Sequence, residues 1–471
     1  MQKAVKNALA AGVGMLSLAL VSPMIAQMPG PPLARSRVEG PQSPGPLTVL
    51  NDAAVVPTKI EDVVQRPVDG PVFSTEVSVP QGSPHPLGLA DLQAIALSRH
   101  PALSEAAARV EVARGRHLQA GLRPNPRIGY LGQEIGNQGT AGVHGLIYSR
   151  EFITAGKLDL SQASIAAEIR AAEEAWRATE LRVLADVRLA FINTLVAQER
   201  LQLAEEILRI AEDGFNIANA MVLAEESAPV DRLQARNEAN TAGILVDTAR
   251  AELDATWRRL SVATGGQPLS QGPLAGTLER TVPLFEWQSS LHRLFSESPL
   301  LKAADGQIAA ARWNLERQAA EPVPNVNLQA AVAHSNMSDN TIANVQMSFE
   351  IPVNDANQGA VLAARSALTA AERNRDRIVL SLERRLADVF RQYEAALRQT
   401  DWYDREVLGV AKNVLALRTT AYEQLEVDYT AVLTAQKSLF EFKQLYLQAL
   451  QDAHLAAVRI EFLLLDDAVE R

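Results

Sequence analysis

Six carboxylates stand in two short stretches far apart in the chain. Glu225, Glu226 and Asp231 lie in LAEESAPVDRLQA, and Glu423, Glu426 and Asp428 lie in AYEQLEVDYTAVLTA. Nothing in the sequence supplies a base, nucleophile or metal partner for them. The seven histidines are scattered, without HxH or HExxH spacing, so no bound metal is expected. No Ser/His/Asp trio, P-loop or GxGxxG occurs, and catalytic residues and cofactors are therefore expected to be none. Cysteine is absent, which excludes disulfides, thiolate metal sites, a Cys nucleophile and a lipidated N-terminal Cys. What remains to the carboxylates is electrostatics. They can draw cations and repel anions, or they can offset the dipoles of the helices that start beside them. Asp231, two residues after Pro229, suits the second role.

The elements that carry these stretches are legible because the chain is doubled. HPALSEAAARVEVARGRHLQAGLRPNP, starting at His100, lies without a gap over SPLLKAADGQIAAARWNLERQAAEPVP, starting at Ser298. Pro101 meets Pro299, Arg114 meets Arg312, and Pro124 and Pro126 meet Pro322 and Pro324. LADV at Leu184 recurs at Leu386, and VDRLQAR at Val230 lies over TAVLTAQ at Thr430. Repetition in one order overrides the roughly three domains that length alone suggests. The chain reads as one architecture of two halves, about 88–275 and 283–466, within a single domain over 88–471.

Each half is helix, Pro-bounded break, two short extended segments, then two very long helices. Residues 158–222 run almost without a breaker, and 65 residues of helix span about 100 Å. Val432, Ala435, Leu439, Phe442, Tyr446, Ala449, Ala453, Ala456 and Ile460 keep a strict 3-4 spacing. Ala235, Ala239, Ala242, Val246, Ala249, Leu253 and Leu260 fall in the same frame, with Arg232 and Thr256 as exceptions. Such spacing predicts coiled-coil packing, and the alanines predict close helix approach.

Between helices, Pro124, Pro126, Pro322 and Pro324 force the chain out of helix, since proline removes a donor and extends the residue before it. VQMSFEI alternates Val345, Met347, Phe349 and Ile351 with Gln346, Ser348 and Glu350, a half-buried strand. GNQGTAG and NMSDNT are turn chemistry. Two β-hairpins with strands of roughly ten residues follow, long enough for a soluble sheet or for a tilted membrane strand. Four strands cannot close a spanning barrel, and lipid forbids an open edge. A wet-faced sheet in a monomer and hairpins shared among several copies both remain open. The fold class is mainly α with a small β part.

The amino terminus carries Lys3 and Lys6, then an apolar run from Ala8 to Val21, and reads as a secretory signal over 1–26. Residues 27–87 are rich in Pro, Gly and Ser and read as an extended tether. The net charge of −10 and the lack of any basic stripe argue against nucleic acid.

In layout the chain resembles the TolC-like outer-membrane efflux family. GLADLQAIALSRHPAL, from Gly88, is similar to that family's opening helix. FITAGKLDLSQA, with Gly156 and Lys157, is similar to its strand-to-helix junction, with Gly359 as the partner position and Pro352 at the same border. The resemblance implies a homotrimer with a twelve-stranded barrel in outer-membrane lipid, continued by an α-helical barrel. It implies a passive conduit for small solutes, working with a periplasmic adaptor and an inner-membrane pump. The Gly-Lys junction leans toward the heavy-metal-efflux branch. The two acidic stretches would then be periplasmic tips that touch the adaptor and close the tunnel. The family's tip glycines fall on Glu225 and Leu425, and two of its acidic positions fall on Ala431 and Thr434. Ser149, Glu151, Ser348 and Glu350 would face the barrel lumen, and Arg150 the other side. The competing reading is a periplasmic coiled-coil scaffold or adaptor without a channel.

Overall fold

The computed structural model describes residues 86–136, 139, 141–266, 268–276, 278, 282–424 and 426–465. The signal over 1–26 and all of the 27–87 stretch except its last two residues lie outside these. Leu87 already belongs to the folded part, because it bridges Leu274 in parallel and its carbonyl accepts the Ala275 N–H at 2.8 Å.

The first half contains α1 (Leu89–Arg99), α2 (Pro101–Gly121), β1 (Arg127–Gln133), β2 (Val143–Phe152), α3 (Lys157–Leu223) and α4 (Pro229–Ala263). The second repeats this as α5 (Trp287–Glu297), α6 (Pro299–Ala320), β3 (Val326–Ser335), β4 (Asn340–Phe349), α7 (Gln358–Trp402), α8 (Leu408–Glu423) and α9 (Tyr429–Glu461). The duplication extends to the caps. Pro101 and Pro299 each open a helix at its first position, where a missing N–H costs nothing.

One interruption has no counterpart in the first half. Between α7 and α8, Tyr403–Val407 forms a π turn in which the Leu408 N–H reaches the Tyr403 carbonyl, five residues back. The α3 helix runs 67 residues without such a break.

All four strands pair antiparallel in the order β1-β2-β3-β4, so the central pair, β2 with β3, joins the two halves. Three strands have the predicted ten residues; β1 has seven. It stops because the chain turns into a left-handed conformation at Glu134, with φ of 55°.

Each half has its own apolar core. In the first, Leu92, Val187, Phe191, Trp257 and Leu260 pack together; in the second, Leu294, Leu386, Val389, Tyr393, Leu450 and Ala453 do. Val187 and Val389, paired by the LADV repeat, occupy matching places. Tyr393 ties down the connection between halves, donating to the Pro283 carbonyl at 2.5 Å and accepting from the Phe285 N–H at 3.0 Å.

The 3-4 seam holds along both returning helices. Of the nine α9 positions, all but half-buried Phe442 are buried; on α4 even the exception Thr256 is buried. Small side chains let backbones approach closely there. At Gly306, where α6 crosses α3, a Cβ would lie 2.9 Å from that of Ala171.

Ala453 is wholly inaccessible on this seam. Ala453→Leu is expected to cost about 1–3 kcal/mol through overpacking, read as a lower thermal midpoint in far-ultraviolet circular dichroism. Ala387→Leu, at an exposed position of α7, should leave the midpoint unchanged.

Candidate functional site: helix tips, junction and sheet faces

The two acidic stretches are the two helical turnarounds, α3 to α4 and α8 to α9. At the first, Glu226 N–H donates to the Met221 carbonyl at 2.9 Å and Glu225 N–H to Val222 at 3.1 Å, closing the last helical turn. This motif wants a left-handed residue, usually glycine. Glu225 fills it with φ of 61°, at a steric cost of about 1–2 kcal/mol. At the second turnaround Glu426 N–H reaches the Ala421 carbonyl at 2.9 Å, the same closure.

Glu225, Glu226, Glu423, Glu426 and Asp428 are exposed. Asp231 differs. It sits half-buried in the first turn of α4 and accepts the Ser227 hydroxyl at 3.0 Å, so it is held locally. Asp428 is the N-cap of α9, yet its side chain makes no capping bond.

The two turnarounds pack on each other through Ala218, Ala235, Tyr422, Tyr429 and Val432. Tyr422 and Tyr429 are buried with ring centroids 5.5 Å apart, and neither hydroxyl finds a partner. Tyr429 lies over Gly214, where a Cβ would come within 2.6 Å of its oxygen. Burial raises both phenol pKa values above 10.0, reinforced by the charge of Asp231 at Tyr422 and by Glu238 and Tyr422 at Tyr429. Sequence reading attended to the acids and missed this pair. Its trace is two tyrosines flanking a helix break in a chain that is 5% aromatic.

At the other end of the helices lies the strand junction. Gly156 caps α3 with φ of 63°, and Lys157 behind it is buried. Its ammonium donates to Asn325 Oδ1 at 3.1 Å and lies 3.7 Å from Glu321. Asn325 also accepts the Thr154 N–H at 3.3 Å and donates to Glu151 at 2.8 Å, while the Thr154 hydroxyl donates to the Pro324 carbonyl at 2.7 Å. The exit of the first hairpin is thereby pinned to the entry of the second. Pro124, Pro126, Pro322 and Pro324 stand in the connections that enter the sheet, and Pro352 in the one that leaves it. Gly359 is not the counterpart of Gly156. It lies inside the first turn of α7, whereas the left-handed cap is Asn357, with φ of 57° and a side-chain bond to the Gln318 carbonyl at 2.9 Å. Asparagine tolerates that conformation, so a search for glycine passed over it.

Register fixes the faces of the sheet. Ser149 opposes Gln329, Glu151 opposes Asn327, and Asn327 and Gln329 oppose Ser348 and Gln346. These polar residues share one face with Arg127 and Asn344. Glu350 lies one residue beyond the end of β4, so pairing does not place it. The opposite face carries Ile128, Tyr130, Leu146, Tyr148, Phe152, Val332, Val345, Met347 and Phe349, all exposed. Ile128 and Val345 are each 76% accessible. Arg150 is on this apolar face, two residues from the end of β2, with its guanidinium 5.2 Å from the Phe152 ring centroid. Among the described residues no group of three His, Asp or Glu could hold a metal, and no helix is long and apolar enough to cross a membrane.

Residues 92–266 match the family model described as outer membrane efflux protein. The cobalt-zinc-cadmium resistance protein CzcC of Cupriavidus metallidurans is 25% identical over 404 residues, 84% of this chain and 92% of that protein. The cation efflux system protein CusC of Escherichia coli is 22% identical over 58% of this chain and 62% of its own length. A solved CusC structure superposes with a TM-score of 0.66 over 80% of this chain and 91% of that one. The outer membrane protein VceC of Vibrio cholerae also gives 0.66, at 17% identity, over 80% and 96%. Over these residues the chain is similar to outer-membrane efflux proteins. This efflux protein is a component of the cell outer membrane with a large periplasmic part.

Two measurements check the site. The efflux protein's fold favours the neutral phenols of Tyr422 and Tyr429. Their stabilising contribution is complete below pH about 10 and lost as pH rises through the raised folded values. Tyrosinate absorbance should show a late-titrating fraction that Tyr422→Phe diminishes. Asn325→Ala strips the buried Lys157 ammonium of its hydrogen-bond acceptor and should cost about 2 kcal/mol or more, whereas Asn327→Ala, exposed on the polar face, should cost little in thermal denaturation.

Proposed function

We propose that the protein is the outer-membrane channel of a tripartite efflux system, acting as a homotrimer. Its sheet supplies four strands of a twelve-stranded barrel, with β4 of one copy pairing β1 of the next. Its helices continue that barrel as a periplasmic tunnel. The tips meet a periplasmic adaptor and, through it, an inner-membrane pump; the channel performs no chemistry of its own.

The observation that carries this reading is the divided sheet. One face is polar, the other is apolar and exposed, and both outer strands, β1 and β4, end the sheet with unpaired edges. In water such a face and such edges invite aggregation. In lipid the apolar face is at home, and ring closure with neighbouring copies satisfies the edges. A scaffold without a channel would need a layer over Ile128, Leu146, Val345 and Met347, and among the described residues none lies there. Arg150, near the helical end of its strand, fits the interfacial level, where a cation on the outer face costs little.

Metal cations are the substrates this reading favours. Exposed carboxylates at both tips, multiplied around a threefold axis, favour cations and oppose anions. The relatives named for cobalt, zinc and cadmium resistance and for cation efflux agree. Drugs are the second possibility, in keeping with the relative named as a toluene efflux pump outer membrane protein.

The mature protein should sediment with outer membranes and require detergent for release; recovery in the soluble periplasm would sink the channel. In planar bilayers, Glu225→Gln, Glu226→Gln and Glu426→Gln combined should lower cation-over-anion permeability several-fold. Asp231→Asn, whose carboxylate is already engaged by Ser227, should change it less. Unchanged selectivity in the triple variant would place the constriction elsewhere.

A further inference from the structure

Among the described residues, only two histidines lie in strands, and they face each other. His144 of β2 is the direct partner of His334 of β3. Both are on the apolar face, two residues beyond the Leu146 and Val332 pair, at the end of the sheet away from the helices. β2 and β3 are the inner strands, so joining β1 and β4 to neighbouring copies does not cover this position. Directly opposed residues of an antiparallel pair have Cβ atoms about 5 Å apart. HxH spacing cannot reveal such a pair, because its members come from different hairpins.

The surroundings set both rings in one protonation pattern. His144 Nε2–H donates to the Ala141 carbonyl, and His334 Nε2 lies 3.4 Å from the Asp339 carboxylate. A carbonyl and a carboxylate only accept, so each ring carries its proton on Nε2 and its lone pair on Nδ1. That is the pattern of a metal-ligating histidine, whose second nitrogen is held by a carboxylate or carbonyl. An oxygen, the Tyr130 hydroxyl, already stands at His144 Nδ1, with the two rings stacked at 5.9 Å between centroids. Gly132, the β1 partner of His144, makes the room: a Cβ there would meet the Tyr130 ring at 2.9 Å and its oxygen at 3.2 Å. Neither histidine is closed off, His144 being half-buried and His334 exposed.

We propose that His144 and His334 together bind one divalent transition-metal ion, copper(II) or zinc, through their Nδ1 atoms. The Tyr130 oxygen and water complete the shell. Two imidazoles carry the ion, not a group of three His, Asp or Glu, and Asp339 holds a ring without touching the metal. Magnesium and calcium, which seek oxygen ligands, are refused. The bound ion ties β2 to β3 at the end opposite the Lys157 and Asn325 anchor, and so fastens the two halves there. The pair itself needs only the sheet register; its place at the outer rim of a membrane barrel rests on the channel reading.

No cysteine competes for such ions. The full-length mature protein, purified in detergent without a histidine tag, should bind Cu2+ with nitrogen splitting from two imidazoles in its electron paramagnetic resonance spectrum. Zn2+ should raise its thermal midpoint by mass action on the folded state, and Mg2+ should not. His144→Ala and His334→Ala should each abolish the two-nitrogen signal and the zinc-dependent rise. Asp339→Asn should keep both nitrogens and weaken binding about ten-fold. His292→Ala, at an exposed position of α5, should change nothing. A copper spectrum or zinc stabilisation that survives both strand variants overturns the site, as does a copper signal without nitrogen splitting, which places the ion on carboxylates such as those of the tips. A two-nitrogen signal from protein recovered in the soluble periplasm leaves the site standing and removes it from any barrel rim.

Discussion

The architecture hangs on four points at which the backbone changes its hydrogen-bond partners from its own helix to a neighbouring strand, or back. A helix satisfies itself; a strand cannot. Each change leaves several donors and acceptors without their usual partners, and all four must happen at one level for the strands to pair in register. The entries use proline, which removes a donor that would otherwise be orphaned. The exits use a left-handed residue, Gly156 in one half and Asn357 in the other, to turn the chain into its next helix. The buried Lys157 and the half-buried Asn325, Glu151 and Thr154 then bind one exit to the next entry. Register of β2 on β3, and with it the partition of polar and apolar faces, follows from that anchoring.

Away from those points the helices face an easier demand. A seam of alanine and medium apolar residues repeated at 3-4 spacing is enough to hold helices together over their whole length, and no single contact matters greatly. The tips are different again. There the chain accepts a left-handed glutamate and two unpartnered phenols within a few residues. Such local strain is tolerated where surrounding packing over-determines it and is commonest where a segment must move.

Much of this was legible in the sequence because it depends on local rules and is written twice. Pro101 and Pro299, the paired prolines at each border, the Ala-rich seams and the alternation in VQMSFEI each state their structure within a few residues. What was not legible depends on contacts made across the chain. Asn325 looks like any turn asparagine until Lys157 arrives beside it. Asn357 hides the cap that Gly156 announces. Glu350 alternates correctly but stands past the last paired residue, and β1 ends early because of one dihedral angle at Glu134. The π turn is a further kind of omission. The apolar spacing continues through it in the sequence, so pattern alone does not announce the break.

The pairing of β2 with β3 has a consequence for how the two halves are held. Only the stretch 264–286 links them covalently, whereas in space they share a central strand pair and the long packing of α6 along α3. Covalent continuity therefore carries little of the architecture. The two halves are related as fragments that could be made as separate polypeptides and complement each other. The molecule is in this sense a pseudo-dimer whose subunits have been fused.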